Sequence, residues 1–361
     1  MRVALVIYGS LDLLSGGFLY DRKLVEHLRS QGDRVSVFAL PWRPYPALLL
    51  DNSTSSLVEK LEREAPDLVL QDELCHPSLF RLNRRLRSRL DRPVVSIVHH
   101  LRWTEPRPRV FQMAYRKVER AYLEAIDAFV FNSETTRQAA SRTLGRMAKG
   151  VVAYPAGNRL GPPLDPSAIQ ARVREDRPLR LAFVGNVIPR KGLRDLLVAL
   201  GRLRGEPWEL LVAGSLKADP RHAARMIRLT RSLGVDRRVR WLGALGKDEL
   251  RKLLARSDLT AMPFSYEGFG IVYVEGMAFG LPALASTEGG AGEVVEDGKN
   301  GRLFRPGDVD GLADFLGGLV EDRGRLLEPS LEARRRFDHF PTWEESGAKA
   351  RQFLETLAHS S

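Results

Sequence analysis

The run YEGFGIVYVEGMAFGLP, residues 266–282, decides how this chain is read. Residues 266–270 form a tight, glycine-bearing entry, and residues 271–279 read as a short helix whose first turn offers backbone amide donors. Glu267 therefore falls on a loop, and Glu275 about one helical turn inside the element that follows. Amides at a helix start suit a phosphate, while carboxylates accept hydrogen bonds from sugar hydroxyls. Both parts within one short stretch suit a nucleotide sugar.

About eighty residues upstream, FVGNVIPRKGL, residues 183–193, reads as a strand end, a glycine turn, two adjacent cations and a helix start. Arg190 and Lys191 at the mouth of a strand can neutralise a diphosphate, and the dipole of the following helix adds positive potential. Around these two stretches, short apolar runs alternate with longer helical patterns from end to end, the signature of parallel sheets covered by helices. The strand candidates of the first half are residues 3–8, 35–40, 67–71, 94–99, 128–132 and 151–154. Those of the second half are residues 179–184, 209–213, 239–242, 259–263 and 282–285. The expected class is α/β: two doubly wound, Rossmann-like domains facing across a cleft, with ligands beyond the carboxyl ends of the strands. Residues 1–160 form the first domain and residues 179–341 the second. The proline- and charge-rich residues 161–178 read as the linker, and residues 342–358 as a last helix, anchored by Trp343, Phe353 and Leu357, that packs back on the first domain.

A chain of 361 residues with 43% hydrophobic content can bury two such cores. No segment approaches the roughly 20 apolar residues that span a bilayer. Residues 1–8 read as a first strand rather than a signal peptide, and the lone cysteine, Cys75, reads as a small buried hydrophobe in a reducing cytoplasm. The net charge is +11, with much of the excess in residues 81–92 and 102–120. Leu79, Leu82, Leu86 and Leu90 recur at helical spacing among Arg81, Arg84, Arg85, Arg87, Arg89 and Arg92. This basic amphipathic helix is either a solvated domain face or a contact with the inner face of an anionic membrane. No nucleic-acid module is present, so no nucleic-acid partner is expected, and the sequence does not fix an oligomeric state.

Taken together, residues 185–192, the pair Glu267 and Glu275, the Gly289-Gly290-Ala-Gly-Glu293 turn and residues 295–303 resemble the donor half of the family-four glycosyltransferases. Ser15-Gly16-Gly17 after the first strand and Asn132-Ser133 after the fifth extend the likeness through the other half. The resemblance implies the two-domain GT-B fold and a retaining hexosyltransferase. It implies a nucleoside diphosphate sugar, UDP- or GDP-linked, as donor, and a glycan, lipid-linked glycan or small-metabolite hydroxyl as acceptor. Lys191, with Arg190, would hold the diphosphate in place of a metal, so that neither metal nor cofactor is expected. Glu267 would face the donor sugar and Glu275 the ribose hydroxyls. Gly268, Phe269 and Gly270 would line the phosphate, while Gly16 and Gly17 would let backbone approach it closely. His99, at the end of the fourth strand and beside His100, would stand near the sugar or the acceptor.

Two positions depart from the family pattern. Asn186 stands where an arginine is usual and is counted among the donor-binding positions. Residues 154–158, Tyr-Pro-Ala-Gly-Asn, replace the usual Pro-Gly-Val-Asp run. Acceptor choice is expected from residues 11–18, 41–46 and 101–109, where Trp42 and Trp103 could stack on a sugar or serve as packing. The alternatives are a GT-B phosphorylase, a nucleotide-sugar epimerase, or a catalytically silent basic protein that binds a surface.

Overall fold

The computed structural model describes every residue except Leu14, Thr54, Ser360 and Ser361. The chain divides into two compact units, Met1–Pro155 together with Trp343–Ser361, and Ala156–Thr342.

The first unit is built on β1 (Arg2–Tyr8), β2 (Arg34–Leu40), β3 (Leu68–Asp72), β4 (Val94–Val98), β5 (Ala128–Phe131) and β6 (Gly150–Val152). All neighbours are parallel, in the order β2-β1-β3-β4-β5-β6. β3, β4 and β5 are buried throughout, as strands covered by helices on both faces must be. The strand order reverses between β1 and β3, so this unit's switch point lies beyond Tyr8 and Asp72. Helix Trp343–His359 belongs to this unit and lies along helix Gly16–Ser30. A Cβ on Gly347 would strike the His27 ring. Arg351 bonds Asp33 at 2.8 Å, and the Trp343 ring meets Tyr20 edge-on at 6.0 Å.

The second unit carries β7 (Leu179–Val184), β8 (Trp208–Ala213), β9 (Val239–Gly243), β10 (Leu259–Ala261), β11 (Ala283–Ser286) and β12 (Gly301–Phe304). Its all-parallel order is β12-β11-β10-β7-β8-β9. This is the doubly wound order, with the switch point between β7 and β10. The last strand, β12, escapes a periodicity reading because it is a four-residue edge strand with two buried positions.

The stretch read as a linker is structured instead. Asp165 caps a helix at Pro166–Val173 through Ser167, with Pro166 at its first position. Buried Arg172 on that helix donates to the carbonyls of Phe279 and Gly280, which fastens it inside the second unit. The unusual residues 154–158 have a local reason as well: a Cβ on Gly157 would overlap the Val274 backbone. The arginine-rich helix is short, Leu82–Arg89, and its Leu82 and Leu86 are buried with Leu79 in the first unit's core. Its apolar face is spent on packing, so that the membrane contact expected there is not supported and the solvated basic face is what remains. Among the described residues, no helix is long and apolar enough to cross a membrane.

Candidate functional site

The second unit's switch point is where two loops meet. One leaves β7 and runs through Asn186 to a single 3-10 turn at Pro189–Lys191 before helix Leu193–Arg202. The other leaves β10 and reaches helix Ile271–Met277, two residues shorter than expected. Backbone contact locks them together. Ser265 donates its amide to the Arg190 carbonyl at 3.0 Å. Gly192, at φ +73°, lies so close to Pro263 that a Cβ would collide with its carbonyl oxygen; only glycine meets both demands.

This junction brings Lys191, Arg190 and Glu267 together. Lys191 Nζ donates to Glu267 Oε2 at 2.8 Å, and Arg190 Nη1 reaches the same oxygen at 3.3 Å and the Tyr266 carbonyl at 3.1 Å. The Phe264 ring lies 4.2 Å from the Lys191 ammonium, a cation–π contact. Burial and the neighbouring Arg190 lower the Lys191 pKa, and Glu267 opposes them. Two cations thus converge on one carboxylate oxygen at the mouth of β7.

Glu267 is held from behind by a turn that sequence reading gave only as part of a resemblance. The Gly290 amide donates to the Glu267 carbonyl at 2.8 Å, and Glu267 and Gly289 form a parallel bridge. A Cβ on Gly289, at φ +84°, would collide with that same carbonyl. Gly268, Phe269 and Gly270 carry the chain from Glu267 into the short helix, with Gly270 at φ +95°. Glu275 lies inside that helix, buried, and ion-pairs with Arg159 Nε. Burial raises its pKa and Arg159 lowers it, the net being upward. Sequence reasoning missed Arg159, whose partner is 116 residues away. Asn186 Oδ1 accepts from the Ser215 amide at 3.4 Å, which ties the β7 loop to the end of β8.

The first unit's switch point has the opposite character. Ser15 caps helix Gly16–Ser30 by accepting from the Phe18 amide, and a Cβ on Gly17 would press on the His99 ring. His99 Nε2 pairs with Asp21 Oδ1 at 3.0 Å, its amide donates to Glu73 Oε2 at 3.2 Å, and its carbonyl accepts from Asn132. Adjacent His100 pairs instead with Glu105 at 3.0 Å. Burial works to lower the His99 pKa, but Asp21, with Asp72 and Glu73 behind it, outweighs burial and pushes it up to about 9. Burial and the Asp21 carboxylate push Asp72 up to about 7. Asp21 Oδ2 and Asp72 Oδ2 are buried without a hydrogen-bond partner.

No carboxylate cluster with metal spacing is evident in the sequence, yet among the described residues the fold gathers two. Asp21, Asp72 and His99 form one and Glu73, His76 and Glu119 the other, each with ligand atoms within 4.8 Å of one another and all buried. Asp21, on the helix that follows β1, and Asp72, at the end of β3, meet only because β1 and β3 are neighbours, a signal that no local window carries.

Of the two tryptophans, Trp103 is packing: its Nε1 donates to Thr143 Oγ1 at 3.0 Å and Arg116 covers its ring. Trp42 is 61% exposed. Of residues 11–18, also expected to choose the acceptor, Leu14 lies outside the described residues. Cys75 is buried.

A fold of this order with such a switch point is that of a two-domain GT-B protein, and comparison supports the class. Residues 166–338 match the family described as glycosyl transferases group 1, and residues 16–156 match glycosyltransferase family 4. The chain belongs to the family-four glycosyltransferases. It is similar to the GDP-mannose-dependent alpha-(1-6)-phosphatidylinositol monomannoside mannosyltransferase of Mycolicibacterium smegmatis, at 31% identity over 63% of this chain and 62% of that one. It is 33% identical to the glycogen synthase of Mycobacterium tuberculosis over 48% of this chain and 42% of the relative. The chain spans roughly half the length of the curated relatives it matches. In fold it resembles a sucrose-phosphate synthase from Thermosynechococcus elongatus, with a TM-score of 0.84 at 21% identity over 100% of both chains.

Proposed function

We propose that this protein is a retaining, metal-independent glycosyltransferase that moves a sugar from a nucleoside diphosphate sugar to an acceptor hydroxyl. The observation that carries the reading is the Lys191, Arg190 and Glu267 constellation at the β7/β10 switch point. Relatives are named for GDP-mannose dependence, and a solved neighbour of the same fold from Anabaena was crystallised with UDP and glucose. A UDP- or GDP-sugar is therefore the donor class.

In this reading Lys191 and Arg190 exchange Glu267 for the donor diphosphate and take up the charge that develops on its departing oxygen, as a metal ion does elsewhere. Glu267, released from one partner, accepts from the sugar hydroxyls while the anomeric carbon gains positive character. Gly268, Phe269 and Gly270 line the phosphates, and Asn186 stands beside them. Glu275, oriented by Arg159, receives the ribose hydroxyls. The bond from the anomeric carbon to the phosphate oxygen breaks as the bond to the acceptor oxygen forms on the same face. The acceptor proton passes to the departing phosphate, so configuration is kept. In the first unit, His99, held charged by Asp21, is the group assigned to hydroxyls of the sugar or the acceptor.

A nucleotide that binds only the folded protein raises its melting temperature, by mass action. Stabilisation by UDP or GDP, lost in Lys191→Ala, is the expected result. A chain indifferent to every nucleoside diphosphate would remove the proposal.

A further inference from the structure

The second basic stretch of the sequence has a different fate from the first. Helix Arg109–Leu123 begins at the carboxyl edge of the first unit's sheet, after the loop that leaves β4. Its inner face is settled by buried Glu119, Tyr122 and Leu123, with Glu119 accepting from the amides of Arg102 and Trp103. Its outer face should therefore be polar. Instead Val110 is 69% exposed, Phe111 54% and Met113 72%. Val110, Met113 and Ala114 follow one another at helical spacing on the side away from the core. Three large apolar side chains in open water within four residues are more than scattered surface hydrophobics require.

Charge decides what covers them. Between Glu105 and Glu119 there is no acidic residue, while Arg107, Arg109, Arg116 and Lys117 are all cationic. Arg109, Arg116 and Lys117 are exposed, so apolar tips and cations occupy the same outer surface. Leu50 adds to this edge at 72% exposed. It closely follows the short helix Tyr45–Leu48, whose Tyr45 ring meets Tyr115 of the long helix at 4.8 Å. Protein interface cores admit Arg but are depleted in Lys and in charge overall, whereas here Lys117 stands with three arginines and no acidic residue among the apolar tips. An anionic bilayer surface, in contrast, takes apolar tips into its acyl boundary and pairs the surrounding cations with lipid phosphates.

We infer that the first two turns of helix Arg109–Leu123 are a docking surface for anionic lipid, through Val110, Phe111 and Met113 inserted between Arg109, Arg116 and Lys117. It is not the Leu82–Arg89 helix, whose leucines are in the core, that meets the membrane. The carboxyl edge of the first unit's sheet, where His99 lies, then faces lipid, which favours an acceptor hydroxyl carried on a lipid. The docking itself is independent of the donor chemistry.

The test is co-sedimentation of the full chain with phosphatidylcholine vesicles, with and without phosphatidylglycerol. Binding is expected with the anionic vesicles only, weakening as salt rises. The triple variant Val110→Ser, Phe111→Ser, Met113→Ser should lower bound protein at least about tenfold, given the apolar area withdrawn. Arg109→Gln with Lys117→Gln should lower it by about fivefold per charge at low salt. Arg84→Gln with Arg85→Gln on the other basic helix should change it less. All altered residues are exposed, so an unchanged circular dichroism spectrum and nucleotide-induced thermal shift report that fold and donor site survive. Equal sedimentation of the triple variant and the parent overturns the proposal, as does a parent that stays in the supernatant. A dimer in sedimentation velocity that the triple variant abolishes also overturns it and assigns the face to a second copy.

Discussion

The two units obey one topological rule and fill it with opposite chemistry. In the second, the switch point between β7 and β10 carries two cations on one carboxylate, with side chains 17–23% exposed. In the first, the switch point between β1 and β3 carries Asp21, Asp72 and Glu73 around His99, with Asp21, Asp72 and Glu73 sealed from solvent. A doubly wound sheet places whatever follows its central strands at one spot, but it does not choose the charge there. The cationic spot suits an anionic diphosphate. The acidic spot holds a proton on an imidazole, which suits hydroxyl groups.

The largest expected effect breaks the cationic side. Lys191→Ala should lower turnover by about a thousandfold, the scale for removing one well-placed donor to a developing oxyanion, with the melting temperature of the unliganded protein little changed. Lys191→Arg, which keeps the charge but not the geometry, should recover only part of it. Turnover near normal in Lys191→Ala, measured by donor consumption with acceptor present, would contradict the assignment. Glu267 can be moved without being touched. Gly289→Ala forces a Cβ into the Glu267 carbonyl at a left-handed φ and should cost about a hundredfold in turnover. Replacement of Gly292, which has open space around its Cβ, should cost almost nothing.

The acidic side answers to pH. His99 is held at about 9 against the ordinary 6.5 because Asp21, Asp72 and Glu73 outweigh its burial. The folded protein therefore keeps a proton that the unfolded chain gives up, and the stability this adds is fully present below pH 6.5 and lost as pH rises through 9. Asp72, pushed up to about 7 by burial and Asp21, acts in the same sense and starts lower, from about pH 4. The carboxyl's share is spent by about pH 7, so the histidine's share, on the order of 3 kcal/mol, predicts a melting temperature that goes on falling from neutral pH to pH 9.5. Asp21→Asn removes the main support of the charged imidazole, so it should flatten this slope and bring the His99 titration, followed by NMR, down toward neutrality. A slope identical in the variant would separate His99 from the carboxylates.

What the sequence makes legible follows from how far apart the interacting residues lie. Strands such as β1 and β7 are single buried runs and show in any short window. The loop residues Lys191 and Glu267 each carry a local signature of glycine, charge and helix start. Arg159, Asp21 and Asp72 have none, since their partners are fixed by strand order or by a chain crossing of more than a hundred residues. Residues 161–178 mislead for a related reason. Their prolines and charges look like a linker until Arg172 is seen capping the carbonyls of Phe279 and Gly280. The basic helices mislead in the opposite direction, because periodicity reports an apolar face without saying whether the core has already taken it.

The smallest effect sharpens the comparison at the one place where the cationic side falls short of its family. Asn186 occupies a position where an arginine is usual, and it bonds the Ser215 amide at 3.4 Å. Backbone bonds from Gly185 to Ala213 and from Val187 to Ser215 already staple that loop to the end of β8, so the side-chain bond adds little to its shape. Asn186→Arg should then supply a third cation at modest structural cost and tighten UDP or GDP binding by about fivefold, the scale of one charge-assisted hydrogen bond less its desolvation. Weaker binding by calorimetry would show that the Asn186 to Ser215 contact holds the loop carrying Lys191. The departure from the family would then belong to loop architecture rather than to donor affinity.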